Sequence, residues 1–550
     1  MHLIETALFL LLAVVLSGWV ARITRLPLPL VQIALGAGVV MITGNSVDLR
    51  PEIFFLLFLP PLLFVDAWRI PKAALYKDRA VILELALGLV VFTVLGLGFF
   101  INWMIPAVPL AVAFALAAIL SPTDPIAVSA IAGRSGMPKR LMHILEGESL
   151  LNDATGLTCM RIAVIAATTG AFSLTSAVGT FAWLALAGLA VGVVVSLTIN
   201  LIKGFVSKHW GEDVGGQILV SLLIPFAAYL AAEAIHASGI LAAVSAGITM
   251  SFTESRGTAM AATRIRRAVV WDTVQFTANG LIFVILGEQL PSILARAAEV
   301  IRTTERTEIW WLAIYVFAIV GVLAALRFIW VWATLKLTLF SGKLSGGKRP
   351  KLRWRLVAVM SLSGVRGAIT LAGILTLPFF VADGSLLPAR NLAIFLATGV
   401  IIVSLLVASV ALPILLKGVE LPPDTHVQTA EERARRAAAA AAIRALEQSE
   451  RDLDVAAVHA RADEHAEVVA RLMEDYRQQI EQHSGNAPDQ VARSKKLDAI
   501  EKDLRLLALI AQREELIKLS RTHLLDEETA RKLIREIDLQ ELRYGQGLSA

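Results

Sequence analysis

Apolar runs, each near the length of about 20 residues that carries a helix across hydrocarbon, recur along the first three quarters of the chain and then stop. Thirteen segments stand out, at 3–21, 28–43, 52–68, 80–104, 107–131, 141–167, 177–202, 217–236, 239–252, 269–287, 309–336, 355–380 and 391–416. The polar loops between them carry an alternating bias. With the N-terminus outside, the loops facing the cytoplasm hold 21 Lys and Arg and the outer loops hold five, as the positive-inside rule requires. The pattern predicts an all-α polytopic membrane domain over 1–418, with about 13 transmembrane helices.

From 419 to 550 the chain changes character. Pro422 and Pro423 end the last apolar helix, and 429–482 is an Ala-, Glu- and Arg-rich stretch expected to form a long polar helix. Leu497, Ile500, Leu504, Leu507 and Ala511 then recur at helical spacing, and a third helix is expected from Asp526. This part is expected to be a cytoplasmic helical tail.

Composition agrees with two solvents. The 550 residues are 56% hydrophobic and 18% charged, with a mean hydropathy of +0.67. Lys and Arg exceed Asp and Glu by 11 up to Gly418, whereas acids exceed bases by six afterwards. The single cysteine, Cys159, excludes an internal disulfide framework and a Cys-based metal cluster. The apolar N-terminus lacks a small-residue cleavage site, so it is expected to be the first membrane helix rather than a removed signal. No phosphate-binding loop, nucleophile elbow or zinc spacing is present. No cofactor, enzymatic activity or nucleic-acid partner is expected.

The informative residues are the polar ones inside apolar segments, where each ionisable group costs roughly 2.5–3.5 kcal/mol on the insertion scale. The sixth segment holds His143, Glu146, Glu148, Asn152, Asp153 and Arg161. Glu148, Ser149, Asn152 and Asp153 fall within an arc of roughly 140° on a helix. That face presents hard oxygen ligands, the kind that suit alkali or alkaline-earth cations. In the fifth segment Pro122 and Pro125 flank Thr123-Asp124 and must interrupt the helix. The twelfth has a related interruption, where Gly364 and Gly367 bracket Arg366. Unwound backbone at membrane depth is tolerated only where protein or a wet cavity surrounds it. If segments 1–6 and 8–13 are repeats, the two interruptions correspond, which predicts inverted repeats with two crossed discontinuous helices in segments 5 and 12.

Ser121-Pro-Thr-Asp-Pro125, Gly147-Glu-Ser-Leu-Leu-Asn-Asp-Ala154, Gly364-Val-Arg-Gly-Ala368 and Leu59-Pro-Pro-Leu-Leu-Phe64 together resemble the sodium/proton exchangers of the monovalent cation:proton antiporter superfamily. The resemblance covers the membrane domain and not the tail. It implies that Asp153 is the carboxylate that binds Na⁺ or a proton, and that Asn152 is the neutral neighbour of the electroneutral branch. Thr123 and Asp124 match the unwound crossing beside the ion, and Ser149 matches a further oxygen ligand. Glu148 matches a glutamate that pairs with an arginine of the second repeat, here Arg327 by position, and Arg366 matches the basic residue at the second crossing. One departure is visible: Asp66 falls one residue later than the acid of several relatives, which turns it by about 100° around the helix. It is expected either on the ion path or at the interface beside Arg69.

The resulting expectation is a secondary active transporter of the bacterial inner membrane. It exchanges Na⁺, with Li⁺ or K⁺ as further candidates, for H⁺ at one carboxylate, electroneutrally and one for one, in pH and sodium homeostasis. The family's usual homodimer in membrane lipid is implied. A potassium/proton antiporter on the same scaffold, and a cation or pH sensor signalling through the tail, are the alternative readings.

Overall fold

The computed structural model describes residues 2–44, 51–132, 137–170, 173–211, 213–254, 261–303, 310–341, 354–381, 384–417 and scattered positions between 437 and 540. They fall in two compact units, Met1–Glu420 and Leu421–Ala550.

The first unit is built of helices: α1 (His2–Thr24), α2 (Leu28–Thr43), α3 (Pro51–Arg69), the short α4 (Lys72–Lys77), α5 (Arg79–Met104, with a π-helical stretch at Glu84–Leu89), α6 (Leu110–Leu120) and α7 (Pro125–Ala132). There follow α8 (Lys139–Thr169), α9 (Leu174–Trp210), α10 (Val214–Ala234), α11 (Gly239–Glu254), α12 (Ala261–Thr303), α13 (Trp310–Ser341), α14 (Trp354–Leu362), α15 (Ala368–Leu375) and α16 (Arg390–Leu416). Each of the thirteen apolar segments overlaps one of these helices or, at 107–131 and 355–380, a broken pair. Among the described residues eight helices are long and apolar enough to cross a membrane, or nine when α6 and α7, bent by 46°, count as one. The fold is that of an all-α polytopic membrane protein. Outward-facing Trp183, Leu186, Val194, Leu201 and Phe205 on α9 are exposed, as suits a helix whose surroundings are hydrocarbon.

With no hydrophobic driving force between helices in lipid, small residues and hydroxyls hold the interior together. A Cβ at Gly36 of α2 would run into the Val284 carbonyl of α12, and one at Gly287 into that of Ile33, so glycine on both sides sets this approach. Ser245 on α11 donates to Leu189 O of α9 at 3.0 Å, and Ser196 on α9 returns a bond to Ala246 O at 3.1 Å.

Three features differ from the apolar pattern. Beyond α15 the twelfth segment is not helical: Pro378 cannot donate to a helical ladder, and Phe380 pairs with Leu386 in an isolated antiparallel bridge. Arg390, expected in an outer loop, begins α16 and is buried, donating to Leu377 O at 2.8 Å and lying over the Phe379 ring. Arg267, expected in a cytoplasmic loop, lies inside α12 and is 1% exposed. Its charge is met by Glu254 at 2.5 Å, which also accepts from Trp68 Nε1 at 2.6 Å.

In the second unit the described positions include helical residues, with Val469, Leu509 and Ile537 buried. The helices expected over 429–482, from Leu497 and from Asp526 lie largely outside the described residues, as do the basic loop at 342–353 and the loop residues Arg50 and Arg134.

Candidate functional site

Helix ends leave backbone groups without partners and carry partial charge, positive at the N-terminus and negative at the C-terminus. At the two interruptions, side chains supply what the missing turns would have. The prolines stop α6 at Leu120 and start α7 at Pro125. Asp124 Oδ1 accepts from Ile126 N at 2.9 Å and from Ala127 N at 3.3 Å, so its negative charge caps the positive end of α7. Arg366 donates through Nε to Leu120 O at 2.8 Å, where α6 ends, and through Nη1 to Gly364 O just beyond the end of α14. One carboxylate and one guanidinium thus neutralise three severed helix ends. The interruptions also bond directly, Asp124 N to Val365 O at 2.8 Å. Gly367 has a φ of −121°, which any residue adopts; glycine is needed because a Cβ would collide with the Asp124 carboxylate.

A second set of contacts ties α8 to this core. Arg327 Nη1 and Nη2 on α13 donate to Glu148 Oε1 and Oε2 at 2.5 and 2.7 Å, and Arg327 Nε donates to Met360 O at 2.9 Å. Glu148 Oε1 also accepts from Thr123 Oγ1 at 3.4 Å, and Thr123 Oγ1 accepts from Asn152 Nδ2 at 3.1 Å. The chain Arg327–Glu148–Thr123–Asn152 is wholly buried. It fixes the asparagine's orientation: the amide nitrogen is spent on Thr123, while Asn152 Oδ1, like Ser121 Oγ, is buried without a hydrogen-bond partner among the described residues.

Asp153 points elsewhere. It is 3% exposed and lines a cavity of about 60 Å³ with Ser149, Thr123, Asp124, Asp66, Asn279 and Thr370. Among the described residues its carboxylate has no hydrogen-bond or ion-pair partner. An isolated charge in such a place is neutralised by a proton or a counter-ion, and the few oxygen-bearing side chains on this otherwise apolar wall are of the kind that suits a small hard cation. Asp66, Ser149 and Asn279 also line a second space of about 590 Å³, which runs past Glu146, His143, Gln275, Asp272 and Arg69. A third, of about 610 Å³, lies farther along α8, where Arg161 meets Glu233 of α10 at 3.2 Å. Phe55, Leu56 and Leu157 line this third space, and Leu59, Leu62 and Leu63 line the small cavity.

All nine residues singled out in the sequence therefore fall into three linked groups. Asp153, Ser149 and Asp66 share the cavity. Asn152, Thr123, Glu148 and Arg327 form the buried chain, and Asp124 and Arg366 stabilise the interruptions. Asp66 is not paired with Arg69: its Oδ1 accepts from Gln275 Nε2 at 2.7 Å, and Arg69 turns to Asp272 and Gln275. Gln275, Asn279 and Thr370 were missed by the sequence reading. The first two are amides inside an apolar segment, a weaker polar signal than the charges of α8.

A family model described as sodium/hydrogen exchanger, transmembrane, matches residues 10–418. The chain is 40% identical over 551 residues to the uncharacterized Na(+)/H(+) exchanger YjcE of Escherichia coli (strain K12), covering 98% of each. It is 39% identical over 546 residues to a sodium, potassium, lithium and rubidium/H(+) antiporter of Bacillus pumilus, covering 98% of this chain and 78% of that one. Its fold is similar to that of the sodium proton antiporter MjNhaP1 from Methanocaldococcus jannaschii, with a TM-score of 0.55 and 18% identity over 76% of this chain and 99% of that one.

Proposed function

The chain belongs to the sodium/hydrogen exchanger family and is a Na⁺/H⁺ antiporter, a secondary transporter rather than an enzyme, and we propose that its two substrates compete for the single carboxylate of Asp153. The observation that carries this reading is a buried Asp153 that has no protein partner among the described residues and faces a largely apolar cavity whose polar groups come from Asp66, Thr123, Asp124, Ser149, Asn279 and Thr370. Protonated, the group is neutral. Deprotonated, it holds one cation with help from Ser149 and the backbone around Thr123 and Asp124. Asn152 cannot titrate, so one proton leaves for each monovalent cation that enters, and exchange is electroneutral. Asp66 lies on the cation's route, because it lines both the small cavity and the wider space beside it.

The two interruptions, bonded to each other through Asp124 and Val365, support a 13-span inverted-repeat architecture in which the discontinuous helices α6/α7 and α14/α15 cross. The charge bias of the loops supports an outer N-terminus, a cytoplasmic tail over 419–550 in the inner membrane, and a cytoplasmic position for the space beside Arg69 and His143. Alternating access then consists of separating that space from the cavity and joining the cavity to the space beside Arg161 and Glu233. A homodimer in lipid, serving pH and sodium homeostasis, completes the reading. The B. pumilus relative's cation range supports Na⁺ with Li⁺ and K⁺ as further substrates rather than K⁺ alone.

The test is proton flux in proteoliposomes with Na⁺, Li⁺ and K⁺ added in turn and the membrane potential clamped at several values. Flux with Na⁺ that does not respond to the clamp is expected. A clamp-dependent rate would rule out one-for-one exchange.

A further inference from the structure

On α3, Asp66 and Arg69 are three residues apart, the spacing at which opposite charges on one helical face meet. They do not pair. Arg69 donates through Nη2 to Asp272 Oδ1 at 2.7 Å and through Nη1 to Gln275 Oε1 at 2.8 Å, and Gln275 Nε2 donates to Asp66 Oδ1 at 2.7 Å. Asp272 and Gln275 are likewise three apart, on α12, so the two helices interlock through four side chains. The orientation of the glutamine amide follows from chemistry. A guanidinium only donates, so it must meet the amide oxygen, and this turns the amide NH₂ toward the carboxylate.

We infer that Gln275 is a positioning residue for the exchange reaction, one that holds the Arg69 guanidinium off Asp66 and so keeps the charge of Asp66 available to the entering cation. The inference rests on the reading of Asp66 as part of the cation route. All four side chains line the wider space next to the cavity. A direct Arg–carboxylate contact is charge-assisted, geometrically matched and stronger than a contact between neutral groups. Formed between Arg69 and Asp66, it would neutralise Asp66 and place a fixed positive charge where the cation must pass. Gln275 replaces that contact with a neutral donor, and Asp272 takes up the arginine's charge at a more exposed position, with side-chain exposures of 35% for Arg69 and 65% for Asp272. A carboxylate offers about four lone-pair sites, so one amide donor on Oδ1 leaves capacity for a cation.

The experiment measures KM and kcat for Na⁺-driven proton flux by the full chain in proteoliposomes. Gln275→Leu removes both amide contacts and frees Arg69 to take Asp66. KM for Na⁺ is expected to rise about tenfold, the scale of one charge-assisted contact, with a smaller effect on kcat. Adding Arg69→Gln to that variant removes the competitor and should bring KM back toward the wild-type value, a rescue that a merely structural role for Gln275 would not give. An unchanged KM in Gln275→Leu, or a raised KM that Arg69→Gln does not reverse, overturns the inference. Where the leucine variant does not accumulate, Gln275→Met, which keeps the side-chain length, takes its place. Asp66→Asn tests the underlying reading separately: an unchanged KM for Na⁺ removes Asp66 from the route. A raised KM in Asp66→Asn with none in Gln275→Leu leaves the route standing and removes only the role of Gln275.

Discussion

Arg327 grips Glu148 through two hydrogen bonds of 2.5 and 2.7 Å at a place where neither side chain is more than 3% exposed. Breaking such a pair from one side strands the other charge, at a cost of about 3–5 kcal/mol. Glu148→Gln is therefore expected to lower the amount of folded protein recovered in detergent and its melting temperature. Glu148→Gln combined with Arg327→Gln should recover part of the loss, because no charge is then left alone. The comparison is read by size-exclusion yield and thermal unfolding.

Among the described residues Asp153 has no hydrogen-bond or ion-pair partner to lose. Asp153→Asn keeps its shape and is expected to insert and fold at wild-type levels while exchange with every alkali cation disappears. Retained cation-dependent proton movement in everted vesicles would place the exchange carboxylate elsewhere.

Thr123 joins two otherwise separate groups, accepting from Asn152 and donating to Glu148. Thr123→Val removes the hydroxyl and leaves the buried Asn152 amide without its acceptor, at a cost of about 1–3 kcal/mol. Both thermal stability and exchange rate should fall, and Thr123→Ser should restore most of each. Equal behaviour of the valine and serine variants would show that the hydroxyl is idle.

Gly367→Ala tests the contact between the interruptions. The backbone there tolerates any residue, so the whole effect comes from the methyl group against the Asp124 carboxylate. Overpacking of this kind costs about 1–3 kcal/mol, and the expected outcome is reduced exchange with a lowered melting temperature. A fully active, fully stable alanine variant would show that the two interruptions can separate freely.

Deleting the chain beyond Asp424 should leave Na⁺/H⁺ exchange measurable in vesicles, since every residue of the proposed site lies in the first compact unit. Complete loss with normal insertion would assign the tail an essential role in transport.

The sequence exposed those parts of the molecule whose cause is local. Pro122 and Pro125 forbid a continuous helix whatever surrounds them, and the polar face of α8 stands out against apolar neighbours. Glu148 and Arg327, each an ionisable group within an apolar segment, called for partners. What stayed hidden depends on contacts between distant positions. The bond from Gln275 to Asp66 spans 209 residues, and an amide in an apolar segment costs too little to demand explanation as a charge does. The i, i+3 spacing of Asp66 and Arg69 does not reveal that Gln275 stands between them. Arg267 looked like a loop residue because its partners, Glu254 and Trp68, come from other helices. The role of Asp124 as a cap for α7 required knowing where that helix begins.

The buried chain from Arg327 to Asn152 also limits how this transporter can change over generations. Replacing Glu148 or Arg327 alone strands a buried charge, and removing the Thr123 hydroxyl strands the Asn152 amide nitrogen, a penalty that coordinated replacements escape. The four side chains form one mutational unit spread over positions 123, 148, 152 and 327. Cavity walls outside the unit, such as Ser149, Asn279, Ile282 or Thr370, are where a change of size or polarity leaves the brace intact.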